Sequence, residues 1–133
     1  MKNNSQNQQQ VFDMHICDEL SFASSEAYKL LRTSVQYGFS ENHGCKVIGV
    51  TSSIRNEGKS SLSINLAYML SKDKNKVLLL EADMRLPNIA RRFEINPTPG
   101  LSDYLTGAAK NNDGIQRSEK APQVYFVIAL QSR

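Results

Sequence analysis

The sequence lacks several features on which whole classes of protein depend. It has no tryptophan, and its two cysteines, Cys17 and Cys45, lie apart without a Cys-x-x-Cys or Cys/His spacing. Neither a disulfide framework nor a metal site is therefore indicated. No apolar run is long enough to span a bilayer or to form a secretory signal, so we predict a cytoplasmic protein. There are no internal repeats, and a formal net charge of +3 is too small to argue for nucleic acid.

The length and the polar beginning of the chain limit its domain organisation. The 133 residues, 40% of them hydrophobic, allow one domain at most. The first ten residues, MKNNSQNQQQ, are rich in amides and have no apolar periodicity. Such a segment buries too little apolar surface to offset the entropy of ordering. We therefore predict a disordered tail over residues 1–20 and a partial domain over residues 21–133.

Residues 46–70, KVIGVTSSIRNEGKSSLSINLAYML, carry the strongest pattern in the sequence. The β-branched run over 47–51 predicts a buried strand, and apolar residues return at helical spacing after Lys59. A strand, a polar loop ending in Gly-Lys-Ser and a helix are together typical of the phosphate-binding loop of nucleoside triphosphatases. The consensus has a glycine where this chain has Ser53, so a polar turn that ends in Gly-Lys-Ser by coincidence is the alternative. The flanking strand and helix favour nucleotide binding.

Each residue type in this loop suits a phosphate ligand. The backbone N–H groups of the loop and the open N-terminus of the helix form a concave, partly positive nest. Gly58 lets the backbone approach the phosphates without a Cβ in the way. Lys59 brings a full positive charge to the terminal phosphates, and the hydroxyl of Ser60 can bind Mg²⁺.

Upstream of the loop, residues 24–39 predict an amphipathic helix with Ser24 or Ser25 as its N-cap. Glu26, Lys29 and Arg32 fall three residues apart within it. Taken alone, they fit a solvated helical face whose ion pairs contribute about 0.2–0.5 kcal/mol each.

Downstream of the loop, residues 76–83 are apolar on consecutive positions and end in acidic residues. This pattern predicts a parallel strand that is covered on both faces. Glu81 and Asp83 would lie where open α/β sheets bind ligands, and their spacing of two places both on one side of a strand. Beside a bound triphosphate they could hold Mg²⁺ and accept a proton from a hydroxyl group. The alternative is an acidic strand end that runs into a solvated loop. Arg85 could reach phosphates or form part of a solvated basic surface.

The remaining patterns complete the predicted fold. Residues 101–105 predict a short helix that ends at Gly107, and residues 123–130 predict a third buried strand. The fold class is therefore α/β, a P-loop nucleoside triphosphatase with a parallel sheet of about three strands flanked by helices. Because open α/β sheets commonly have about five strands or more, we expect the sheet to be incomplete.

Four stretches in this order resemble the bacterial protein-tyrosine kinases of capsule and exopolysaccharide systems. They are EAYKLLRTSVQYGF, SSIRNEGKSSLSINLA, VLLLEADMRLP and PGLSDYLTG, and the resemblance covers residues 20 to 107. It implies a P-loop kinase domain that uses ATP and Mg²⁺. A proline-glycine pair of the family is replaced by Arg55-Asn56, and asparagine tolerates left-handed backbone angles better than most residues. The family's Asp-x-Asp-x-Arg motif appears here as Glu81-Ala82-Asp83-Met84-Arg85, with a first carboxylate that is one methylene longer.

The resemblance assigns a role to each matching position. Lys59, Glu81 and Asp83 are implied to be catalytic, and Ser60, Glu81 and Asp83 to bind the metal. The implied nucleotide contacts are Ser53, Ile54, Arg55, Asn56, Glu57, Gly58, Lys59, Ser60, Ser61 and Arg85. A Glu-x-x-Arg-x-x-Arg motif implicated in ring assembly appears as Glu26-x-x-Lys29-x-x-Arg32, which implies a subunit contact in a homo-oligomeric ring. The implied partner is a membrane-bound polysaccharide co-polymerase or activator, which would bring the chain to the inner face of the membrane.

Two family features are missing, and they leave three hypotheses open. No apolar strand ending in aspartate follows the second motif, and there is no tyrosine-rich C-terminal tail, so we expect a truncated domain. The first hypothesis is the ATP-binding domain of a tyrosine autokinase that regulates capsule or exopolysaccharide synthesis and export. The second is a remnant that binds nucleotide or kinase subunits without catalysis. The third is a partitioning or division-site ATPase, which the absence of an extra lysine at Ile54 disfavours.

Overall fold

The computed structural model describes residues 16–39, 44–110 and 112–129. Its first element is a 3-10 turn at Cys17–Glu19. The helices and strands that follow are α1 (Phe22–Gly38), α2 (Lys59–Ser71), β1 (Val77–Leu80), α3 (Ile89–Phe93), α4 (Leu101–Thr106) and β2 (Val124–Val127). None of the helices in these ranges is long and apolar enough to cross a membrane.

The two strands pair in parallel, as predicted for an α/β fold. Their register runs from Val77 opposite Val124 to Leu80 opposite Val127. The backbone N–H of Glu81 continues the ladder by donating to the carbonyl oxygen of Val127 at 2.9 Å. Helix α2 packs beside both strands. The α/β class with an incomplete parallel sheet is therefore confirmed, with two strands in the described part of the chain.

The strand predicted over residues 47–51 is not formed, and that prediction is wrong. Residues 45–52 have no strand assignment, and Val47 is 89% exposed. A strand is stabilised by a hydrogen-bonded neighbour and by apolar cover. Neither β1 nor β2 pairs with this segment, and among its β-branched residues Val47 and Ile48 are exposed while Val50 is half-buried.

The hydrophobic core lies on one face of the sheet. Phe93 of α3 contacts Phe126 of β2 with ring centroids 4.6 Å apart, and each is 1% exposed. Helix α2 covers the same core with a continuous buried segment from Ile64 to Met69. The other buried members are Cys17, Ile89, Ala121, Val124 and Ile128.

The opposite face of β1 is open, which corrects the prediction of a strand covered on both faces. Leu78 and Leu80 are 49% and 48% exposed, whereas their neighbours on the core side are half-buried. Strand β2 has the predicted cover, since three of its four residues are buried. The strand predicted to reach Asp83 ends at Leu80.

Helix α1 lies on the surface and buries none of its residues. It begins at Phe22 rather than Ser24, because the hydroxyl of Ser21 accepts the Ser24 N–H at 3.2 Å and caps the helix. Packing of the chain begins before the predicted domain boundary at residue 21. The backbone N–H of Cys17 donates to the buried side chain of Asn65 at 2.8 Å, which fastens this segment to α2. Of the predicted disordered tail, residues 1–15 lie outside the described residues.

Candidate functional site

The loop before α2 turns through two left-handed residues. Gly58, the N-cap of α2, has a φ of 89°, and Asn56 has a φ of 62°. A side chain with a Cβ costs about 1–2 kcal/mol in this region, and asparagine tolerates it better than most residues. The replacement of the family's proline-glycine pair by Arg55-Asn56 is therefore compatible with a tight turn.

The side chain of Lys59 lies over this loop. Its Nζ donates to the hydroxyl oxygen of Ser52 at 2.7 Å and lies 3.4 Å from the carbonyl oxygen of Ile54. The residue is half-buried, although residues 53–58 around it are exposed. The ammonium group is thus held over the loop, beside the N-terminus of α2.

Side chains of the loop itself hold Ile54 from two directions. The hydroxyl of Ser52 donates to its carbonyl oxygen at 2.8 Å. Its backbone N–H donates to Oε2 of Glu57 at 3.3 Å. Because residues 53–58 are exposed, these short-range hydrogen bonds contribute much of the order of the loop.

The first turn of α2 is open toward the loop. Gly58 offers no side chain to cap it, and the N–H of Leu62 donates to the carbonyl oxygen of Gly58 at 2.9 Å. The backbone N–H groups of Lys59 and Ser60 precede the first intrahelical bond, so the helix itself does not supply their acceptors. The helix dipole adds a partial positive charge there, which suits an anion.

Glu81 is buried at the end of β1 and is bound to the start of α3. Only 6% of the residue is exposed, and its Oε1 accepts the N–H groups of Asn88 at 2.7 Å and Ile89 at 3.1 Å. Its Oε2 is buried and makes no hydrogen bond of normal geometry with the described residues, although the backbone N–H of Ala129 lies close enough to act on the carboxylate. Burial raises the pKa of this carboxyl group, and the charge of Asp83 raises it further, while backbone N–H groups of Asn88, Ile89 and Ala129 oppose the rise.

Asp83, by contrast, is exposed and closes a turn. Its Oδ1 accepts the N–H groups of Arg85 at 3.2 Å and Leu86 at 3.1 Å. Because β1 ends at Leu80, the alternation of a strand does not apply, and the common side expected for Glu81 and Asp83 is not observed. Arg85 is exposed beside this turn.

A third charged residue, Arg92 of α3, joins Glu81 in this region. Its Nε and Nη1 are buried without a hydrogen-bond partner in the described part of the chain. Burial and the charge of Arg91 lower its pKa, whereas Glu81 raises it, which places the two groups within electrostatic range. Sequence alone allows Arg92 either an acidic or phosphate partner or a solvated surface, and its approach to Glu81 depends on the tertiary contact of α3 with the end of β1.

The predicted subunit-contact residues divide into two groups. Glu26 and Lys29 form an ion pair at 2.6 Å, and both side chains are about half exposed. Arg32 faces its own chain, with Nη1 3.2 Å from Oδ1 of Asp73 and 3.4 Å from the carbonyl oxygen of Met69. Gln36 also donates to Asp73, at 3.0 Å, so this aspartate joins α1 to the end of α2.

A groove of about 490 Å³ lies away from the loop, on the open face of the sheet. It is lined by Lys76, Val77, Leu78, Asn112, Ile115, Arg117 and Tyr125. None of the predicted site residues lines it, and it brings together no set of acid, base or nucleophile. The loop therefore remains the candidate site.

No family model matches the chain, but several curated proteins do. It is 32% identical over 97 residues to tyrosine-protein kinase YwqD of Bacillus subtilis, which covers 73% of this chain and 40% of that protein. It is 35% identical over 91 residues to tyrosine-protein kinase CpsD of Streptococcus agalactiae, covering 68% and 38%. It is 30% identical over 103 residues to tyrosine-protein kinase etk of Escherichia coli, and this match covers 77% of this chain and 14% of that protein. The chain thus spans 40% or less of the length of these relatives.

Solved structures show the same fold. The kinase domain of Escherichia coli tyrosine kinase ETK matches with a TM-score of 0.80 and 24% identity, over 99% of this chain and 51% of that one. The VpsO kinase domain matches with a TM-score of 0.61 and 28% identity, over 82% and 56%. Together with the sequence relatives, these likenesses show that the chain belongs to the bacterial protein-tyrosine kinase family.

Proposed function

We propose that this chain is the ATP-binding part of a bacterial tyrosine autokinase that regulates capsule or exopolysaccharide synthesis. The observation that carries the proposal is the position of Lys59, whose Nζ lies over the loop at 2.7 Å from Ser52. The open first turn of α2 begins at the same residue. A fixed positive charge beside aligned backbone N–H groups is suited to the phosphates of a nucleotide. In this proposal residues 53–61 and Arg85 contact ATP.

The residues around the ends of α2 and β1 fit Mg²⁺ chemically. Mg²⁺ prefers hydroxyl, carboxylate and phosphate oxygens, which Ser60, Glu81 and Asp83 can supply with the nucleotide. Glu81 supports this role, because its carboxylate is buried and oriented at Oε1 by backbone N–H groups, while Oε2 makes no hydrogen bond of normal geometry with the described residues. Bound Mg²⁺ would neutralise charge on the transferred phosphoryl group.

Among the carboxylates, Asp83 is the better candidate for the base that accepts the tyrosine proton. It is exposed, and its Oδ1 is already oriented by the N–H groups of Arg85 and Leu86. Glu81 is buried and holds the start of α3, so in our proposal it supports the site and contributes Oε2 to the metal.

The proposed partners follow from the family resemblance. A membrane-bound co-polymerase or activator would bring the chain to the inner face of the membrane, and a ring of subunits would use the motif on α1. The exposed Glu26–Lys29 pair is free of the core and supports such a contact. Arg32 would contribute by holding α1 against α2, since Asp73 already binds it.

Phosphotransfer tests the proposal. The purified chain is incubated with labelled ATP and Mg²⁺, with and without a cytoplasmic segment of the activator, and phosphotyrosine is measured. We expect Lys59→Ala and Asp83→Asn to abolish the signal. Asp113→Asn, a matched change at an exposed aspartate outside the site, should leave it intact. If a folded chain forms no phosphotyrosine, either with or without the activator, the proposed kinase activity is rejected.

The second candidate is a chain that binds nucleotide or kinase subunits without catalysis. Residues 45–52 form no strand with the part of the chain that the structure describes, which favours this candidate because the loop is then not anchored by a strand. In that case the chain should co-purify with a full-length kinase of the family, and the double change Glu26→Ala and Arg32→Ala should remove the association. A strictly monomeric chain without partners would count against it.

A further inference from the structure

Ser52 lies just before the loop, and its hydroxyl contacts two groups of the loop at once. It donates to the carbonyl oxygen of Ile54 at 2.8 Å and accepts from Nζ of Lys59 at 2.7 Å. A serine hydroxyl has one proton and two lone pairs. Because the proton is directed to Ile54, the oxygen presents its lone pairs to Lys59.

The other contact of Lys59 with the loop is weaker. Its Nζ lies 3.4 Å from the carbonyl oxygen of Ile54, near the limit for a hydrogen bond. An ammonium group has three donors, so the contact with Ser52 leaves donors available for a phosphate. A lysine side chain that is free in solution loses rotamer entropy when a ligand orders it. A lysine that is already held loses less.

We propose that Ser52 is a positioning residue, which holds the ammonium group of Lys59 over the loop before nucleotide arrives. This inference rests on the proposed binding of ATP by the loop. When nucleotide binds, Lys59 keeps its bond to Ser52 and exchanges the longer contact with Ile54 for a phosphate oxygen. The bond from Ser52 to Ile54 keeps the hydroxyl oriented throughout.

Two other roles of Ser52 would change nucleotide affinity differently when its hydroxyl is removed. If Ser52 competed with phosphate for Lys59, removal of the hydroxyl would tighten nucleotide binding. If Ser52 only shaped the loop, its removal would weaken all ligands of the loop equally. A positioning residue acts through Lys59, so its loss weakens only ligands that Lys59 contacts.

Calorimetry with Mg²⁺·ADP and with adenosine separates these roles. We expect Ser52→Ala to weaken Mg²⁺·ADP binding about three- to tenfold, the loss expected when one ordered side chain is released. Adenosine, which has no phosphate for Lys59 to contact, should bind the variant as it binds the wild type. Ser52→Thr keeps the hydroxyl and should restore binding, and Ser34→Ala is a matched control on the exposed surface of α1. Unchanged or tighter Mg²⁺·ADP binding by Ser52→Ala would overturn the inference.

Amine acetylation measures the Ser52–Lys59 contact without nucleotide. Ser52→Ala should raise the acetylation rate of Lys59 several-fold, read by mass spectrometry, with the exposed Lys110 as internal reference. Ser52→Thr and Ser34→Ala should leave the rate at the wild-type value. If the wild-type chain binds no Mg²⁺·ADP, the proposed function fails. If it binds but Ser52→Ala changes neither affinity nor acetylation, only the positioning role fails.

Discussion

The two ends of α2 lie in contrasting surroundings. From Ile64 to Met69 every residue is buried, and this half of the helix covers the core beneath the sheet. The other end follows a loop whose residues 53–58 are all exposed, and Leu62 in the first turns is 37% exposed. Packing therefore determines one end of the helix, and hydrogen bonds among Ser52, Ile54, Glu57 and Lys59 determine the other. Stability and ligand binding should thus respond to different substitutions.

The two cysteines should differ strongly in their reactivity with alkylating agents, because Cys17 is buried and Cys45 is exposed. Burial, with the charges of Asp18 and Glu19, raises the pKa of Cys17 from 9.0 to about 12, whereas Cys45 is exposed. At neutral pH the raised pKa lowers the thiolate fraction of Cys17 about a thousandfold. Iodoacetamide should therefore label Cys45 rapidly and Cys17 only after unfolding, as followed by mass spectrometry. Equal labelling of both in the folded chain would refute the packing of the Cys17 segment on α2.

Core and loop substitutions should differ next most strongly. Phe93→Ala removes a ring that is 1% exposed and contacts Phe126, and such changes cost about 3–5 kcal/mol. Val47→Ala, at a residue 89% exposed, should stay within about 0.5 kcal/mol. Urea denaturation followed by circular dichroism measures both. A large loss of stability at Val47 would show that residues 45–52 are packed after all.

A pH series sharpens the comparison of the two carboxylates that follow β1. Burial raises the pKa of Glu81 above its ordinary value of 4.5, so the folded chain holds this proton more tightly than the unfolded chain. The contribution of Glu81 to stability is therefore greatest below that value and falls as pH rises through the folded pKa. The free energy of unfolding of Glu81→Gln should therefore rise relative to that of the wild type as pH increases through this window. Urea unfolding at a series of pH values measures the difference. Asp83→Asn is the exposed control, and a pH-independent difference for Glu81→Gln would contradict its burial.

The smallest expected effect concerns the attachment of α1. Nη1 of Arg32 lies 3.2 Å from Oδ1 of Asp73, and the two side chains are 21% and 39% exposed. The coupling energy of this ion pair should therefore be about 0.5–1 kcal/mol. A double-mutant cycle with Arg32→Ala and Asp73→Ala measures it by urea unfolding. The Glu26–Lys29 pair, half exposed within one helix, should give about 0.3–0.5 kcal/mol. A larger coupling energy for Glu26–Lys29 than for Arg32–Asp73 would contradict the assignment of Arg32 to the attachment of α1 and of Glu26 and Lys29 to the exposed surface.

Local patterns predicted those parts of the fold that local chemistry determines. Helix α2, the parallel pairing of β1 with β2, and the short α4 with its left-handed Gly107 all follow from periodicity and turn chemistry. The strand over 47–51 could not be judged in this way, because composition gives its preference for a strand but not its partner. The exposure of Leu78 and Leu80 could not be predicted either, because composition does not say whether another element covers that face of β1.

Tertiary contacts explain what sequence analysis missed in the site. Strand alternation placed Glu81 and Asp83 on one side, but β1 ends first, and the N–H groups of Asn88 and Ile89 bind Glu81 in the interior. Sequence alone does not distinguish Ser52 from the other polar residues of the turn, because only the fold of the loop brings it to Lys59. Which of the candidate residues bind nucleotide stays a prediction.

Calorimetric titration with Mg²⁺·ATP measures whether the loop of this chain binds nucleotide through Lys59. We expect the wild-type chain to bind in the micromolar range and Lys59→Ala to abolish binding, while Lys110→Ala, at an exposed lysine outside the loop, leaves it unchanged. Circular dichroism should show all three proteins equally folded, because Lys59 lies at the exposed end of α2. If the folded wild-type chain binds no Mg²⁺·ATP, or if the Lys59→Ala chain binds it equally well, the loop is not a nucleotide site that depends on Lys59.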